Sequence, residues 1–136
     1  MEHELPRPHP VPRPSIGPGR LVGALRYSLA GFRHAALTEA AFRQELVAFA
    51  VLLPLAVALP VPVLERLALV LSMLLVMAVE LLNTAIETTI DLVSADHHPL
   101  AGQAKDLGSA AVFVALAMSA ACWAVIAGPL ALAWLT

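Results

Sequence analysis

Three long apolar runs dominate the chain, and they predict three helices that cross a membrane. The runs cover about residues 46–64, 67–93 and 105–135. Each is long enough for the roughly 17 to 25 residues that a helix needs to span the hydrocarbon core. Pro60 and Pro62 mark the end of the first run, because proline removes a backbone donor and clashes with the preceding turn.

The segment before these runs predicts a helix of a different kind. Over residues 20–45, apolar side chains such as Leu21, Leu25 and Leu29 recur at helical spacing, with four arginines among them. Such an amphipathic helix suits a membrane surface, where its arginines lie near the lipid headgroups. Residues 1–19 hold six of the eleven prolines, which predicts a disordered leader.

The composition favours a membrane protein over a soluble domain. Apolar residues make up 60% of the chain and charged residues 13%, against roughly 45 to 50% and about 25% in soluble domains. A formal net charge of −2 gives no electrostatic basis for binding nucleic acid. The single cysteine, Cys122, excludes an internal disulfide. The predicted fold class is an all-α membrane protein, with residues 20–136 forming one domain.

The positive charges predict the orientation of the chain in the membrane. Six arginines precede the first predicted span, and Lys105 lies close to the loop between the second and third spans. The loop between the first and second spans contains only Arg66. Because cytoplasmic segments carry an excess of lysine and arginine, we expect the amino terminus and the second loop to be cytoplasmic.

A polar stripe follows the second apolar run. At about 100° per residue, one face of this helix collects Glu80, Asn83, Glu87 and Asp91 within an arc of roughly 80°. A charged carboxylate at membrane depth costs about 2.5 to 3.5 kcal/mol on insertion scales, so such groups need compensation. In the second half of the chain Lys105 is the only lysine or arginine, which leaves most of these carboxylates without a basic partner.

The excess of carboxylates indicates a bound cation, although a network that packs helices together is the structural alternative. Oxygen ligands in this number suit Mg²⁺ better than a soft metal. If Mg²⁺ arrives with a nucleotide, Lys105 and nearby arginines could contact the phosphates. Asp106 and Ser109 add a second polar pair at the start of the third span.

Three sequence blocks carry a resemblance to a known family. They read EAAFRQE over residues 39–45, ELLNTAIETTID over residues 80–91 and AKDLGSAAV over residues 104–112. In these blocks the chain resembles the bacterial integral-membrane diacylglycerol kinase family. The resemblance implies a surface helix, three spans and a homotrimer with active sites near the cytoplasmic interface. It also implies transfer of the γ-phosphoryl group of Mg-ATP to a lipid alcohol, without a P-loop.

The resemblance also implies roles for individual residues. Glu80 would be the general base, Glu39 and Glu87 would bind Mg²⁺, and Asn83 and Asp91 would orient these groups. The implied ATP contacts are Arg20, Tyr27, Glu39, Glu87, Asp96, His97, His98, Lys105 and Asp106. The implied lipid contacts are Ala41, Phe42, Arg43, Gln44, Glu45, Glu80, Ser109 and Trp123.

The expected function is phosphorylation of 1,2-diacyl-sn-glycerol to phosphatidic acid in a bacterial inner membrane. The expected partners are the lipid alcohol, ATP with Mg²⁺ and further copies of the chain. A kinase of undecaprenol or another polyprenol would use much the same reacting groups. Three spans with one acidic face also permit a small transporter that relays protons along its carboxylates. A structural membrane subunit would instead tolerate loss of the glutamates.

Overall fold

The computed structural model describes residues 18–93 and 98–135, and these residues are helical almost throughout. The helices are α1 (Pro18–Thr38), α2 (Ala40–Ala58), α3 (Val63–Val93), α4 (Pro99–Ile126) and α5 (Gly128–Leu135). Three of them, α2, α3 and α4, are long and apolar enough to cross a membrane. The predicted all-α membrane fold is therefore confirmed. Most of the predicted leader lies outside the described residues.

The chain divides into two units, residues 1–33 and 34–136. In the described part of the first unit, the helix exposes apolar side chains along its length, including Leu21, Leu25 and Leu29. The guanidinium of Arg26 lies over the ring of Tyr27, 5.5 Å from its centroid. This segment has the mixed apolar and basic surface that the sequence predicts for a surface helix.

The surface helix ends at Thr38 rather than at residue 45, which corrects the predicted boundary. Glu39 has an extended backbone with φ −97° and ψ 120°, and α2 begins directly after it. Arg43 Nη1 donates a hydrogen bond to the Leu37 carbonyl at 3.3 Å, so a side chain satisfies part of the open end of α1. Residues 40–45 therefore belong to the first span, despite their charges.

An arginine side chain closes the turn between the first and second spans. Arg66 Nη2 donates hydrogen bonds to the carbonyls of Leu59 at 3.0 Å and Val61 at 3.4 Å. Pro62 is followed at once by α3, so Arg66 lies in the first turns of this helix rather than in the predicted loop. One guanidinium thus caps the end of α2 and orders the segment that leads into α3.

The third predicted span, residues 105–135, is two helices. Its first helix begins earlier than predicted, because the side chain of His98 accepts a hydrogen bond from the Leu100 amide and Pro99 occupies the first turn. It ends at Ile126, since Pro129 has no amide hydrogen to continue the helical ladder. The predicted polar loop over residues 94–103 is correspondingly shorter.

The core of the second unit lies among α2, α3 and α4. Leu69 and Ala56 are fully buried, and Phe42 is 1% exposed in a cluster with Ala35 and Met77. The most extensive helix pairing is that between α3 and α4. Apolar packing of this kind fixes the spacing of the helices that carry the polar stripe.

The hydrogen bonds from the Arg66 guanidinium to the end of α2 predict a measurable loss of stability when the guanidinium is removed. Arg66→Met keeps the apolar stem but removes both side-chain hydrogen bonds, and only the Leu59 carbonyl keeps another donor, the Val61 amide, so we expect the free energy of unfolding to fall by about 1 to 3 kcal/mol. Thermal or denaturant unfolding in detergent would measure it. Glu65→Gln, at the exposed neighbouring position, is the matched control and should leave stability unchanged. Equal stability of Arg66→Met and the wild type would contradict this role.

Candidate active site

Four glutamates, one at the break before α2, one on α2 and two on α3, interact electrostatically through Glu80. Glu80 is 5% exposed, and its carboxylate interacts electrostatically with those of Glu87 and Glu39. Glu45 interacts in the same way with Glu80. The structure thus brings together two residues of the EAAFRQE block and two of the polar stripe. We call Glu39, Glu45, Glu80 and Glu87 the glutamate cluster.

The break between α1 and α2 places Glu39 in this cluster. Its extended backbone separates the two helices, and its Oε1 accepts a hydrogen bond from the Thr38 hydroxyl at 3.0 Å. The nearest arginine along α2, Arg43, donates instead to the Leu37 carbonyl. The single proton of the Thr38 hydroxyl is shared between Glu39 and the His34 carbonyl, also at 3.0 Å, and Arg43 is engaged with the backbone.

Asn83 orients Glu87 within the polar stripe. Its Nδ2 donates a hydrogen bond to Glu87 Oε1 at 3.0 Å, one helical turn away. The Asn83 side chain is 9% exposed, and its Oδ1 is buried without a hydrogen-bond partner. Asn83 and Glu87, which the sequence places on one polar stripe, are therefore in direct contact on α3.

The lysine of the AKD motif pairs with Asp91 rather than with the glutamate cluster. Lys105 Nζ lies 2.5 Å from Asp91 Oδ1, and the two side chains are 38% and 66% exposed. Within residues 18–93 and 98–135 this is the only ion pair of a lysine or arginine with a carboxylate. The glutamate cluster therefore has no basic partner among the described side chains.

The oxygen groups of the cluster fit Mg²⁺ bound together with a phosphate ligand. In the described part of the chain, no three His, Cys, Asp or Glu side chains come together as a complete metal site. Mg²⁺ is commonly held by one or two carboxylates plus substrate phosphates and water, so a partial set of carboxylates suits it. No lysine or arginine of the described residues forms an ion pair with Glu39 or Glu87, and this absence favours the same cation.

The other predicted nucleotide residues are placed in different parts of the chain. His98 caps α4 through its Nδ1, and Asp106 is exposed on the same helix. Arg20 and Tyr27 are exposed on α1 within the first unit. Asp96 and His97 lie outside the described residues.

An apolar groove runs between α2, α3 and α4 and reaches the glutamate cluster at Glu45. Its volume is about 330 Å³. Glu45 Oε2 and Trp123 Nε1, both in its lining, are buried without hydrogen-bond partners. The sequence predicts both residues as lipid contacts, and the structure brings them to one groove. The lining is completed by Ala48, Phe49, Leu52, Met73, Val76, Met77, Leu116, Ser119 and Ala120.

One residue near this groove differs from what the sequence predicts. Phe42, a predicted lipid contact, is packed in the core and leaves almost no surface for a ligand. Met73 and Met77 are buried core residues that also line the groove. Their four-residue spacing on α3 is the signal that places them on one face. The remaining predicted lipid contacts Ala41, Arg43, Gln44 and Ser109 are exposed.

Three helices that can span a membrane define a multi-pass membrane protein, and its glutamate cluster lies beside an apolar groove. Residues 26–127 match the family model described as prokaryotic diacylglycerol kinase. The chain belongs to this family, so the resemblance found in its three sequence blocks is confirmed.

Individual relatives agree with the family match. A protein named diacylglycerol kinase from Pseudomonas aeruginosa is 50% identical over 107 residues, which cover 79% of this chain and 87% of the relative. The diacylglycerol kinase of Escherichia coli K12 is 43% identical over 107 residues, covering 79% and 88%. That of Haemophilus influenzae is 42% identical over 109 residues, covering 80% and 92%.

Repulsion within the glutamate cluster should lower the stability of the folded protein. Glu80→Gln keeps the side-chain shape and removes one charge from a group of like charges, so the empty protein should become more stable by about 1 kcal/mol. Thermal unfolding in detergent without nucleotide or Mg²⁺ would measure it. Asp91→Asn is the control, because that carboxylate is paired and should not raise stability when removed. A Glu80→Gln protein no more stable than the wild type would contradict the prediction.

Proposed function

We propose that this protein transfers the γ-phosphoryl group of ATP to the free hydroxyl of 1,2-diacyl-sn-glycerol and so produces phosphatidic acid. Membership of the prokaryotic diacylglycerol kinase family supports the reaction class. The observation that carries the proposal is the position of Glu45, which belongs to the glutamate cluster and also lines the apolar groove. A lipid in this groove would have its polar end beside the acidic groups.

Glu80 is the proposed general base. It is the most buried member of the glutamate cluster, as its low exposure shows, so little water competes for its carboxylate. As the lipid oxygen bonds to the γ-phosphorus, the hydroxyl proton passes to Glu80 and the bond to the departing ADP breaks. General-base assistance of this kind contributes roughly 10²- to 10⁴-fold to a rate.

Glu39 and Glu87 are the proposed ligands of the Mg²⁺ that accompanies ATP, and Asn83 holds Glu87 in place. When bound, Mg²⁺ would neutralise charge on the phosphate oxygens. Lys105 is exposed enough to leave Asp91 and contact a phosphate of ATP. In the absence of ATP, the ion pair with Asp91 holds the lysine side chain in place. The full set proposed to contact ATP is Arg20, Tyr27, Glu39, Glu87, Asp96, His97, His98, Lys105 and Asp106.

The proposed lipid site combines apolar walls with two unpaired polar atoms. The Trp123 indole N–H would donate to an ester carbonyl of the glyceride, and Glu45 Oε2 would accept from the single lipid hydroxyl as it enters, before that proton passes to Glu80. Hydrogen bonds of this kind would relieve the cost that both atoms bear when unpaired. The exposed residues Ala41, Arg43, Gln44 and Ser109 would contact the lipid from outside the groove, whereas Phe42 supports the fold.

The membrane setting proposed here follows the positive charges of the sequence. The arginines before the first span and Lys105 favour a cytoplasmic amino terminus and second loop, so that the acidic cluster meets ATP from the cytoplasm. We propose the inner membrane as its location. We also propose a homotrimer, as the family resemblance implies, in which residues of neighbouring copies complete each site.

A panel of lipid alcohols tests the proposed reaction directly. Purified protein in mixed micelles should transfer radiolabelled phosphate from ATP to diacylglycerol in the presence of Mg²⁺ and not in the presence of a chelator. Glu80→Gln should lower kcat by about 10²-fold or more while the protein stays folded. Glu65→Gln, at the far end of α3, is the matched control.

The other outcomes of the same assay separate the alternative functions. Faster turnover of undecaprenol than of diacylglycerol would replace the lipid assignment. Proton flux into liposomes without nucleotide, combined with no phosphorylated lipid, would favour the carboxylate relay and overturn the kinase proposal. Full turnover by Glu80→Gln would remove Glu80 as the base.

The indole of Trp123 gives a separate prediction for the lipid site. Trp123→Phe keeps an aromatic ring and removes the N–H, so KM for diacylglycerol should rise about fivefold, the equivalent of roughly 1 kcal/mol, while KM for ATP stays constant. Phe113→Leu, on the exposed side of α4, is the control. An unchanged KM for the lipid in Trp123→Phe would place the substrate elsewhere.

A further inference from the structure

Gly108 of α4 lies directly against Asn83 of α3. A Cβ atom built on Gly108 would lie 2.1 Å from Asn83 Oδ1 and 3.3 Å from its Cγ. The first distance is far shorter than any van der Waals contact, so Asn83 cannot keep its place beside a larger residue. Gly108 is also buried, which leaves little free space for either side chain to move.

The need for glycine at this position comes from the contact and not from the backbone. Gly108 lies in the interior of α4, where glycine costs roughly 0.5 to 1 kcal/mol relative to alanine. Gly102, on the same helix, would meet nothing within 4 Å of an added Cβ. The requirement is therefore specific to the point where α4 meets Asn83.

The two ends of the Asn83 amide have different surroundings. Its Nδ2 donates to Glu87 Oε1 at 3.0 Å, whereas its Oδ1 is buried against Gly108 without a hydrogen-bond partner. Burying an amide oxygen without a hydrogen bond costs free energy, so another interaction of Asn83 must compensate for it. The contact that this orientation secures is the hydrogen bond to Glu87.

We propose that Gly108 is a positioning residue of the phosphoryl-transfer site. Its missing side chain admits the Asn83 amide between α3 and α4, and the amide in turn holds the Glu87 carboxylate in the orientation that binds Mg²⁺. This inference rests on the proposed function, in which Glu87 is a metal ligand. Loss of such a supporting contact typically lowers metal affinity or activity by about 10- to 100-fold.

Gly108→Ala tests this role through metal binding as well as activity. The Mg²⁺ concentration that gives half-maximal rate should rise about 10- to 100-fold, with KM for diacylglycerol unchanged. The second readout is binding of Mn²⁺ in the presence of a non-hydrolysable ATP analogue, followed by electron paramagnetic resonance, and it should weaken by a similar factor. Gly102→Ala is the matched control in the same helix and should match the wild type in both measurements.

The double variant Asn83→Ala with Gly108→Ala separates positioning from a general packing defect. Removing the Asn83 amide also removes the clash, so this protein should fold even if Gly108→Ala alone does not. If Gly108 acts through Asn83, the double variant should bind Mn²⁺ as Asn83→Ala does. A further loss in the double variant, or an equal loss in Gly102→Ala and Gly108→Ala, would overturn the proposal.

The same measurements distinguish failure of this inference from failure of the proposed function. A wild-type protein that binds no Mn²⁺ with the nucleotide and phosphorylates no lipid would overturn the function, and the inference with it. A wild-type protein that does both, together with a Gly108→Ala variant of undiminished Mn²⁺ affinity, would overturn the inference alone.

Discussion

Repulsion among carboxylates in apolar surroundings is the constraint on which the structure depends. Glu80 interacts electrostatically with Glu39, Glu45 and Glu87, and within residues 18–93 and 98–135 no lysine or arginine pairs with them. Like charges repel more strongly where water is scarce. The packing around Phe42, together with the burial of Leu69 and Ala56, must offset that repulsion.

The site is positioned by the continuous helix α3 and by the interruption between α1 and α2 at Glu39. Glu80, Asn83 and Glu87 lie on the unbroken helix α3, so their spacing is set by the helical repeat of about 5.4 Å per turn. Glu39 instead reaches the cluster because the helix is interrupted there. If the helix continued through residue 39, the backbone there would be helical and the Glu39 carboxylate would point in a different direction. The interruption is therefore as important as the residue itself.

Local patterns predict much of this arrangement, and long-range contacts determine the rest. Apolar runs reveal the spans, and helical spacing reveals the polar stripe, because both depend on neighbours in sequence. The end of α1 depends on Arg43 reaching back to Leu37, and the burial of Phe42 depends on Met77 from another helix. Gly108 stands in a recognisable motif, yet only coordinates show that Asn83 lies where its side chain would be.

The length of α3 has a consequence for the membrane in which the protein works. The same 31-residue rod crosses the bilayer and carries the acidic groups toward its end. A helix longer than the hydrocarbon thickness adapts by tilting or by locally deforming the lipid. The depth of the carboxylates is therefore tied to the thickness of the surrounding bilayer, and lipids with longer chains would draw them further from water.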